Sequence, residues 1–178
     1  MKVTVITGSP HKKGTSNLLA EKFIEGAKEA GHEVSRFDAA FENVKPCMAC
    51  EYCSSHEGEC VHNDSMNTLS KKLLETDLIV FVTPLYYFGM SAQIKAVIDR
   101  FHAINAKIAG KKKTMLLATS YGANDWTMEA LEKMYESILR YLGWQDTGKL
   151  FAIGCPVRGV IEQSDYPQQA YEMGKAIK

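Results

Sequence analysis

Four of the five cysteines lie close together in the sequence, with the spacing Cys-x2-Cys-x2-Cys-x6-Cys. They are Cys47, Cys50, Cys53 and Cys60. Three cysteines at successive three-residue steps can bind one corner of a compact cluster, and iron–sulfur proteins of the ferredoxin type use this opening spacing. Zinc sites more often use two ligand pairs separated by a longer loop, although His56 and His62 could add nitrogen donors. Disulfides would require an oxidising compartment. The spacing therefore favours an iron–sulfur cluster, with zinc or metal-free thiols as the alternatives.

A second group of polar side chains lies in residues 8–17, between a β-branched run and a helical pattern. A loop in this position can bind a phosphate group with free backbone N–H groups and the N-terminus of the helix. The segment matches neither the Walker A pattern nor Gly-x-Gly-x-x-Gly. It offers hydroxyl and amide donors that suit a terminal phosphate monoester, namely Ser9, Thr15, Ser16 and Asn17. A capped surface turn is the alternative.

Two further loops carry aromatic side chains. Residues 84–89 follow the most apolar run and include Tyr86, Tyr87 and Phe88, on which a planar ring could stack. An oligomer contact would also explain exposed aromatic residues. In residues 119–125, Gly122 would let the backbone approach a ligand closely, although a turn before a capped helix explains most of this segment. Together the three loops describe a pocket for a phosphate, a linker and a flat heteroaromatic ring, which is the shape of FMN.

The elements that must position these residues alternate along the chain. The predicted strands cover residues 2–7, 33–37, 77–83, 114–119 and 149–153. Apolar residues at helical spacing predict helices near 19–30, 65–75, 94–104, 131–142 and 165–178. Alternating strands and helices indicate an α/β fold with a parallel sheet covered on both faces. We therefore predict a flavodoxin-like, doubly wound five-stranded sheet of order 2-1-3-4-5, in which the three loops meet where the strand order reverses.

Length and composition narrow the function classes. We expect the 178 residues to form one domain, 1–178, with a cysteine-rich loop inserted at about residues 44–64. The 21 Lys and Arg residues balance the 21 Asp and Glu residues. This balance argues against a nucleic-acid-binding protein, which usually carries a basic excess. No apolar run is long enough for a membrane span, and residues 2–7 are too short for a signal peptide. We expect a cytoplasmic protein with reduced thiols.

Several short motifs occur in the order and at the spacing of one known family. They are Gly8-Ser9-Pro10, Pro46-Cys47, Asp77-Leu78-Ile79-Val80, Pro84-Leu85-Tyr86, and Lys95 with Asp99-Arg100. Over Met1 to about Phe101 the chain resembles the NAD(P)H-dependent FMN reductase and iron-sulfur flavoprotein family, whose fold is flavodoxin-like. On a helix, the Lys95, Asp99 and Arg100 side chains are expected to make ion pairs and intersubunit contacts rather than to take part in chemistry.

The resemblance implies which residues bind the cofactors. In this family the first loop holds the FMN phosphate, the proline-aromatic loop lines the flavin, and the loop after the fourth strand adds further contacts. The corresponding residues here are Ser9, Thr15, Ser16 and Asn17; Pro84, Leu85, Tyr86, Tyr87 and Phe88; and Ser120, Tyr121 and Gly122. At cofactor-binding position 11 the family usually has arginine and this chain has His11, so Lys12 or Lys13 would supply the positive charge. Cys47, Cys50, Cys53 and Cys60 would bind a 4Fe-4S cluster.

The function expected from these features is electron transfer by a redox flavoprotein. It would pass electrons between a 4Fe-4S cluster and FMN, with NAD(P)H as a further donor and no catalytic side chain beyond the flavin. The alternatives are a cluster-free NAD(P)H-dependent reductase of flavins, quinones or nitro compounds, and a zinc-binding or redox-sensing adaptor. The expected partners are a small-molecule electron acceptor or a ferredoxin-like donor, and a second copy of the chain in a homodimer or homotetramer.

Overall fold

A single parallel sheet of five strands forms the centre of the molecule, in a computed structural model that describes residues 1–178. The strands are β1 (Lys2–Thr7), β2 (Glu33–Asp38), β3 (Leu78–Pro84), β4 (Lys113–Thr119) and β5 (Gln145–Ala152). Their order in the sheet is β2-β1-β3-β4-β5, and every neighbouring pair is parallel. The predicted flavodoxin-like, doubly wound architecture is confirmed.

One strand boundary differs clearly from the prediction. β5 begins at Gln145 rather than at residue 149, because its pairing with β4 contains a register shift between Thr114 and Met115. Such a bulge adds an unpaired residue and interrupts the side-chain alternation on which strand prediction depends. At this place Gly148 has a φ of 159°, and its N–H donates to the Asp146 carboxylate.

Helices cover both faces of the sheet. They are α1 (Thr15–Glu29), α2 (Tyr52–Ser55), α3 (Met66–Glu75), α4 (Ala92–Asp99), α5 (Asn105–Ile108), α6 (Glu129–Leu142), α7 (Arg158–Glu162) and α8 (Tyr166–Lys175). Alternate residues of the strands point into two separate cores, so Ile79 and Phe81 pack on α3, α4 and α6 while Leu78 and Val80 pack on α1 and α8. β3 is buried along its whole length, as its continuous apolar sequence predicts.

The five helices predicted along the main β-α alternation are present, and four details differ from the prediction. The predicted helix at 94–104 is α4 followed by a 3-10 helix over Arg100–Ile104 and by α5. The last helix ends at Lys175, and the short helices α2 and α7 were not predicted. Helices of one turn carry too few residues for a periodic pattern to be recognised.

α1 and α8 approach each other unusually closely through two glycines. A Cβ atom at Gly26 would overlap the carbonyl oxygen of Tyr171, and one at Gly174 would overlap that of Phe23. Hydrogen in place of a methyl group lets the two backbones come into contact, and Phe23 and Ala170 complete the contact as buried residues of the same core.

None of the helices combines the length and the apolar sequence that are needed to cross a membrane.

Candidate functional site

The carboxyl ends of four strands meet at one edge of the sheet. Pro84 of β3 pairs with Thr119 of β4, and Thr119 in turn pairs with Ala152 of β5, so these strands end level with one another. Thr7 of β1 pairs with Val82, two residues before the end of β3. The loops that follow β1, β3, β4 and β5 enclose a cavity of about 660 Å³, within the range of small-molecule sites.

The first loop is folded tightly onto the N-terminus of α1. The amide of the buried Asn17 side chain donates to the backbone carbonyls of His11 at 2.7 Å and Lys12 at 3.3 Å. The Gly14 N–H also donates to His11, at 2.8 Å. Gly14 precedes the helix without a side-chain cap. The first N–H groups of a helix have no partner within the helix, so those of Thr15 and Ser16 are available to a bound anion.

Hydroxyl groups from two elements meet at the floor of the cavity. Thr119 Oγ1 lies 2.7 Å from Ser16 Oγ and accepts a hydrogen bond of 3.1 Å from Thr15 Oγ1. Ser9 Oγ accepts from the His11 N–H at 3.3 Å, which keeps the loop turned inward. The end of β4 is therefore bonded directly to the first turn of α1. Thr119 lines the cavity and was not predicted as a site residue.

The cavity wall carries positive charge and no carboxylate. Lys12, Lys13 and Arg158 are among the lining residues, together with His11, and no Asp or Glu is. Lys12 Nζ lies 5.0 Å from the centre of the Phe41 ring, and Arg158 is bonded to Glu21 and Glu162 at the surface. Lys13 is exposed. The Lys13 ammonium group is therefore available to an anionic ligand, although position 11 is a histidine.

The aromatic loop after β3 is a tight two-residue turn. Tyr86 and Gly89 exchange backbone hydrogen bonds of 3.2 and 3.1 Å, and both central residues have positive φ, 46° at Tyr87 and 63° at Phe88. Two positive φ angles define a type I′ turn, which is normally built from Asn and Gly. Tyr86 lines the cavity. The Phe88 ring packs on the Trp126 ring, with the ring centres 5.3 Å apart. The Tyr87 side chain is fully exposed.

The loops after β4 and β5 are bonded to each other. The Cys155 N–H donates to the Ser120 carbonyl at 2.8 Å, the Gly154 N–H donates to Gly122 at 3.0 Å, and Ser120 Oγ donates to Gly122 at 2.7 Å. Gly122 is therefore a structural part of the loop. Cys155 lines the cavity, and burial raises the pKa of its thiol, so this sulfur is a poor nucleophile.

The structure brings most of the predicted site residues to this cavity. Those that line it are Ser9, His11, Thr15, Ser16, Pro84, Leu85, Tyr86, Ser120 and Tyr121. Those that do not are Asn17, Tyr87, Phe88 and Gly122. Residues 155–158 also line the cavity and were not predicted, although their position directly after the last strand was a usable signal.

The cysteine loop, residues 46–63, contributes no residue to the lining of this cavity. Cys47 and Cys50 are exposed, Cys53 and Cys60 are partly buried, and none forms a disulfide. Burial raises the pKa of the Cys53 thiol, and the nearby Cys60 and Cys47 sulfurs raise it further. Nowhere do three His, Cys, Asp or Glu side chains come close enough together to hold a metal ion. The donor set thus fits a metal cluster in kind, without presenting a preassembled site.

A model of the NADPH-dependent FMN reductase family matches residues 1–155. An iron-sulfur flavoprotein of Archaeoglobus fulgidus is 41% identical over 101 residues, which cover 57% of this chain and 51% of the relative. One from Methanosarcina thermophila is 33% identical over 124 residues, covering 70% and 64%. The chain spans about half the length of the first curated relatives it matches.

Solved structures with this fold span nearly the whole chain. An NAD(P)H:quinone oxidoreductase from Methanothermobacter marburgensis superposes with a TM-score of 0.78 at 19% identity, covering 98% of this chain and 94% of that one. An FMN-dependent NADH-azoreductase from Bacillus anthracis in complex with FMN superposes with a TM-score of 0.70 at 14% identity, covering 98% of both chains.

Proposed function

The chain belongs to the NADPH-dependent FMN reductase family, and on that premise we propose that it is an FMN-binding oxidoreductase that takes electrons from NAD(P)H. The observation that supports this most directly is the composition of the cavity wall. Lysines, an arginine and the N-terminus of α1 line the cavity together with Pro84, Leu85 and Tyr86. FMN has the matching halves, a phosphate monoester and a planar ring.

Each part of the wall has a distinct task in this proposal. The Thr15 and Ser16 hydroxyls and N–H groups would bind the phosphate oxygens, with Lys13 supplying charge. Tyr86 and Tyr121 would cover the ring, and the loop N–H groups would hold its polar edge. The buried Asn17 side chain would shape the phosphate loop without touching the ligand. FMN, when bound, accepts a hydride from NAD(P)H and releases electrons singly or in pairs.

We further propose that this chain is an iron-sulfur flavoprotein, in which Cys47, Cys50, Cys53 and Cys60 bind a 4Fe-4S cluster. Two observations support it: the four thiols are free and lie on one short loop, and curated relatives carry this name. A bound cluster would exchange single electrons with FMN. A small-molecule acceptor or a ferredoxin-like donor would be the redox partner.

A cluster-free NAD(P)H-dependent reductase is the second candidate. The observation in its favour is that the thiols do not converge on a common point, with two of them exposed on the loop surface. In this case NADPH would reduce bound FMN directly, and a quinone, nitro compound or free flavin would reoxidise it. The cysteine loop would then serve a different purpose.

A homodimer or homotetramer is also proposed. Three exposed aromatic side chains, Tyr87, Tyr121 and Trp126, lie on the turn after β3 and on the segment after β4, which both supply residues to the cavity lining. Exposed aromatic groups of this kind are typical of interface cores. Sedimentation of the purified protein measures this directly, and a strictly monomeric profile at micromolar concentration contradicts it.

The cofactor proposal is tested on protein purified without oxygen. We expect FMN after acid release, and iron and sulfide in proportion to the chain. Stopped-flow mixing with NADPH or with reduced ferredoxin then separates the two candidates. Rapid bleaching of FMN by NADPH in protein without iron supports the cluster-free reductase. Protein that contains neither flavin nor iron contradicts both.

The phosphate-binding role of the first loop is tested by charge removal. We predict that Lys13→Gln weakens FMN binding about fivefold, because the attraction of an exposed ammonium group for a phosphate is worth about 1 kcal/mol. Lys28→Gln is the matched control, since Lys28 is an exposed lysine at the other end of α1. Fluorescence titration of apoprotein with FMN measures both. Equal affinities of the two variants for FMN would show that Lys13 does not contribute to phosphate binding.

A further inference from the structure

The most deeply buried ion pair in the molecule lies at the base of the cysteine loop. Arg100 Nη1 lies 2.7 Å from Asp64 Oδ2, Arg100 Nη2 lies 3.2 Å from Asp64 Oδ1, and the two side chains are 2% and 0% exposed. Burial raises the pKa of Asp64, but hydrogen bonds from Arg100 and from the Lys45 and Met66 N–H groups outweigh this and hold the pKa below its ordinary value. The carboxylate is therefore charged at neutral pH.

The pair joins the two ends of the cysteine loop to each other. Arg100 Nη1 also donates to the carbonyl of Lys45 at 2.9 Å, and the Lys45 N–H donates to Asp64 Oδ2 at 3.0 Å. The Ser65 N–H donates to the carbonyl of Asn43 at 3.0 Å. The chain that enters the loop and the chain that leaves it thus meet at one guanidinium group. The 18 residues between them form a closed loop.

The cysteine loop also rests on the segment that begins with Arg100. His102 Nε2 lies 3.2 Å from the Glu51 carboxylate, Lys107 Nζ donates to the Glu57 carbonyl at 2.6 Å, and a Cβ atom at Gly58 would meet the Ala103 carbonyl. Cavities of about 470 and 510 Å³ flank this contact. Because apolar packing between loop and segment is sparse, a few polar contacts must hold the loop in place.

We propose that Arg100 is a positioning residue for the cysteine loop, holding its two ends together so that the four thiols stay close enough to assemble one metal site. A buried ion pair gives little net stability, and an apolar pair of the same volume would often serve the fold as well. An apolar pair could not form hydrogen bonds with the Lys45 carbonyl and the Lys45 N–H, which are the contacts that join the two ends of the loop. The metal-assembly part rests on the proposed function, whereas the closure of the loop does not.

Amide hydrogen exchange in the metal-free full-length chain tests the closure. In Arg100→Met we expect exchange of the Lys45, Ser65 and Met66 amides, and of the loop between them, to accelerate about tenfold or more, because bonds to a charged group are lost. Removal of Arg100 alone leaves Asp64 buried and unpaired, which can unfold the protein. The double variant Asp64→Asn with Arg100→Met removes that charge, and we expect it to fold and to show the same acceleration.

Asp99→Asn is the matched control. It lies one residue away and breaks only the exposed ion pair with Lys95, so exchange at the loop should stay at the wild-type rate. Arg100→Lys keeps a cation at the site and is expected to restore part of the protection. Wild-type exchange rates at these three amides in both Arg100→Met and the double variant would overturn the proposal.

Anaerobic reconstitution with iron and sulfide provides the second readout. If Arg100 positions the thiols, the double variant takes up several-fold less iron and loses most of the cluster absorbance, while melting temperature and FMN content stay near those of Asp99→Asn. Uptake equal to wild type would overturn the positioning role. A wild-type protein that takes up no iron refutes the cluster proposal, and the exchange data still decide whether Arg100 closes the loop.

Discussion

Thr119 shows how one hydroxyl can join two elements of a binding site. It ends β4, and its oxygen is within hydrogen-bond distance of both Thr15 and Ser16 in the first turn of α1. Those two residues carry the hydroxyls proposed to bind the FMN phosphate. A threonine at the end of a predicted strand gives no sign in the sequence that its side chain faces a ligand rather than a core. Only the register of β4 against β3 and β5 places it there.

We predict that Thr119→Val weakens FMN binding between about twofold and tenfold, because the Thr15 and Ser16 hydroxyls lose the hydrogen bonds that orient them, each worth about 1 kcal/mol. The shape of the side chain is kept, so the fold should be unaffected. Thr114→Val makes the same change at the opposite end of the same strand, also in a buried position, and should leave the affinity as it is. Titration of the apoproteins with FMN measures both. Matching losses in the two variants would point to a general effect on β4.

The turn between Tyr86 and Gly89 stores strain at the edge of the proposed active site. Tyr87 and Phe88 are in left-handed conformations that side chains other than Asn and Gly seldom adopt. The contact of Phe88 with Trp126 and the two backbone bonds of Tyr86 hold them there. Strained backbone that persists beside a cavity points to a role in ligand binding.

Replacing both central residues, Tyr87→Asn together with Phe88→Gly, should therefore raise the free energy of unfolding by about 1 to 2 kcal/mol. The same double variant should lower NADPH-driven turnover, because the contact of Phe88 with Trp126 no longer fixes the turn that places Tyr86 at the cavity. Tyr121→Asn removes an exposed aromatic residue that has no positive φ, so it should give no gain in stability. Urea denaturation and steady-state kinetics measure the two effects. A destabilised double variant would show that the turn is not strained.

The contact between α1 and α8 depends on two glycines, Gly26 and Gly174, which have no side chain to separate the helices. We predict that Gly26→Ala and Gly174→Ala each lower the free energy of unfolding by about 1 to 3 kcal/mol, because the added methyl group overlaps the backbone of the other helix. Gly159→Ala, in α7, meets nothing within 4 Å and should be neutral or slightly stabilising. Chemical denaturation compares the three. Stable Ala variants at positions 26 and 174 would mean that the helices can move apart at little cost.

At the scale of the whole molecule, the sequence was sufficient for the architecture. Continuous apolar runs such as residues 78–82 identify buried parallel strands, and the alternation with helices leaves few possible topologies. The edge of the sheet where ligands bind follows from the same rule. What could not be predicted is set by tertiary contacts: the bulge in β5 and the 3-10 helix at Arg100.

The same limit applies within the candidate site. Asn17 was predicted to bind phosphate because its amide is a neutral donor in the loop that opens α1, yet its side chain donates to the loop carbonyls. A donor near a helix N-terminus can bond to a ligand or to its own loop, and the local sequence is the same in both cases. The assignment of the cysteines as cluster ligands remains a prediction, since their spacing fixes the donor types but not the shape of the loop.

The cysteine loop lies outside both cores, and we predict that the domain folds without it. None of residues 46–63 belongs to either hydrophobic core, and Lys45 already contacts Asp64 across the gap. Replacing this segment with a short Gly-Ser linker should change the melting temperature by less than about 4 °C, and FMN should still bind.

Replacement of residues 105–109 with the same linker is the comparison. That segment includes the fully buried Ile108, so its loss should unfold the protein. Scanning calorimetry and FMN titration measure both replacements. A linker variant that does not fold would show that the insertion is part of the domain rather than an addition to it.

α4 connects the two proposed centres and is fixed at both ends. Ser91 Oγ donates to the Gly8 carbonyl beside the cavity at 3.0 Å, and Arg100 follows the last residue of the helix. Each residue inserted between them would rotate Arg100 by about 100° around the helix axis, away from Asp64. Insertions are therefore more tolerable in the last gap of the cysteine motif, where they leave the Arg100–Asp64 pair in place, than in α4. In relatives that keep both centres, we expect the length of the last gap of the cysteine motif to vary and the length of α4 to be conserved.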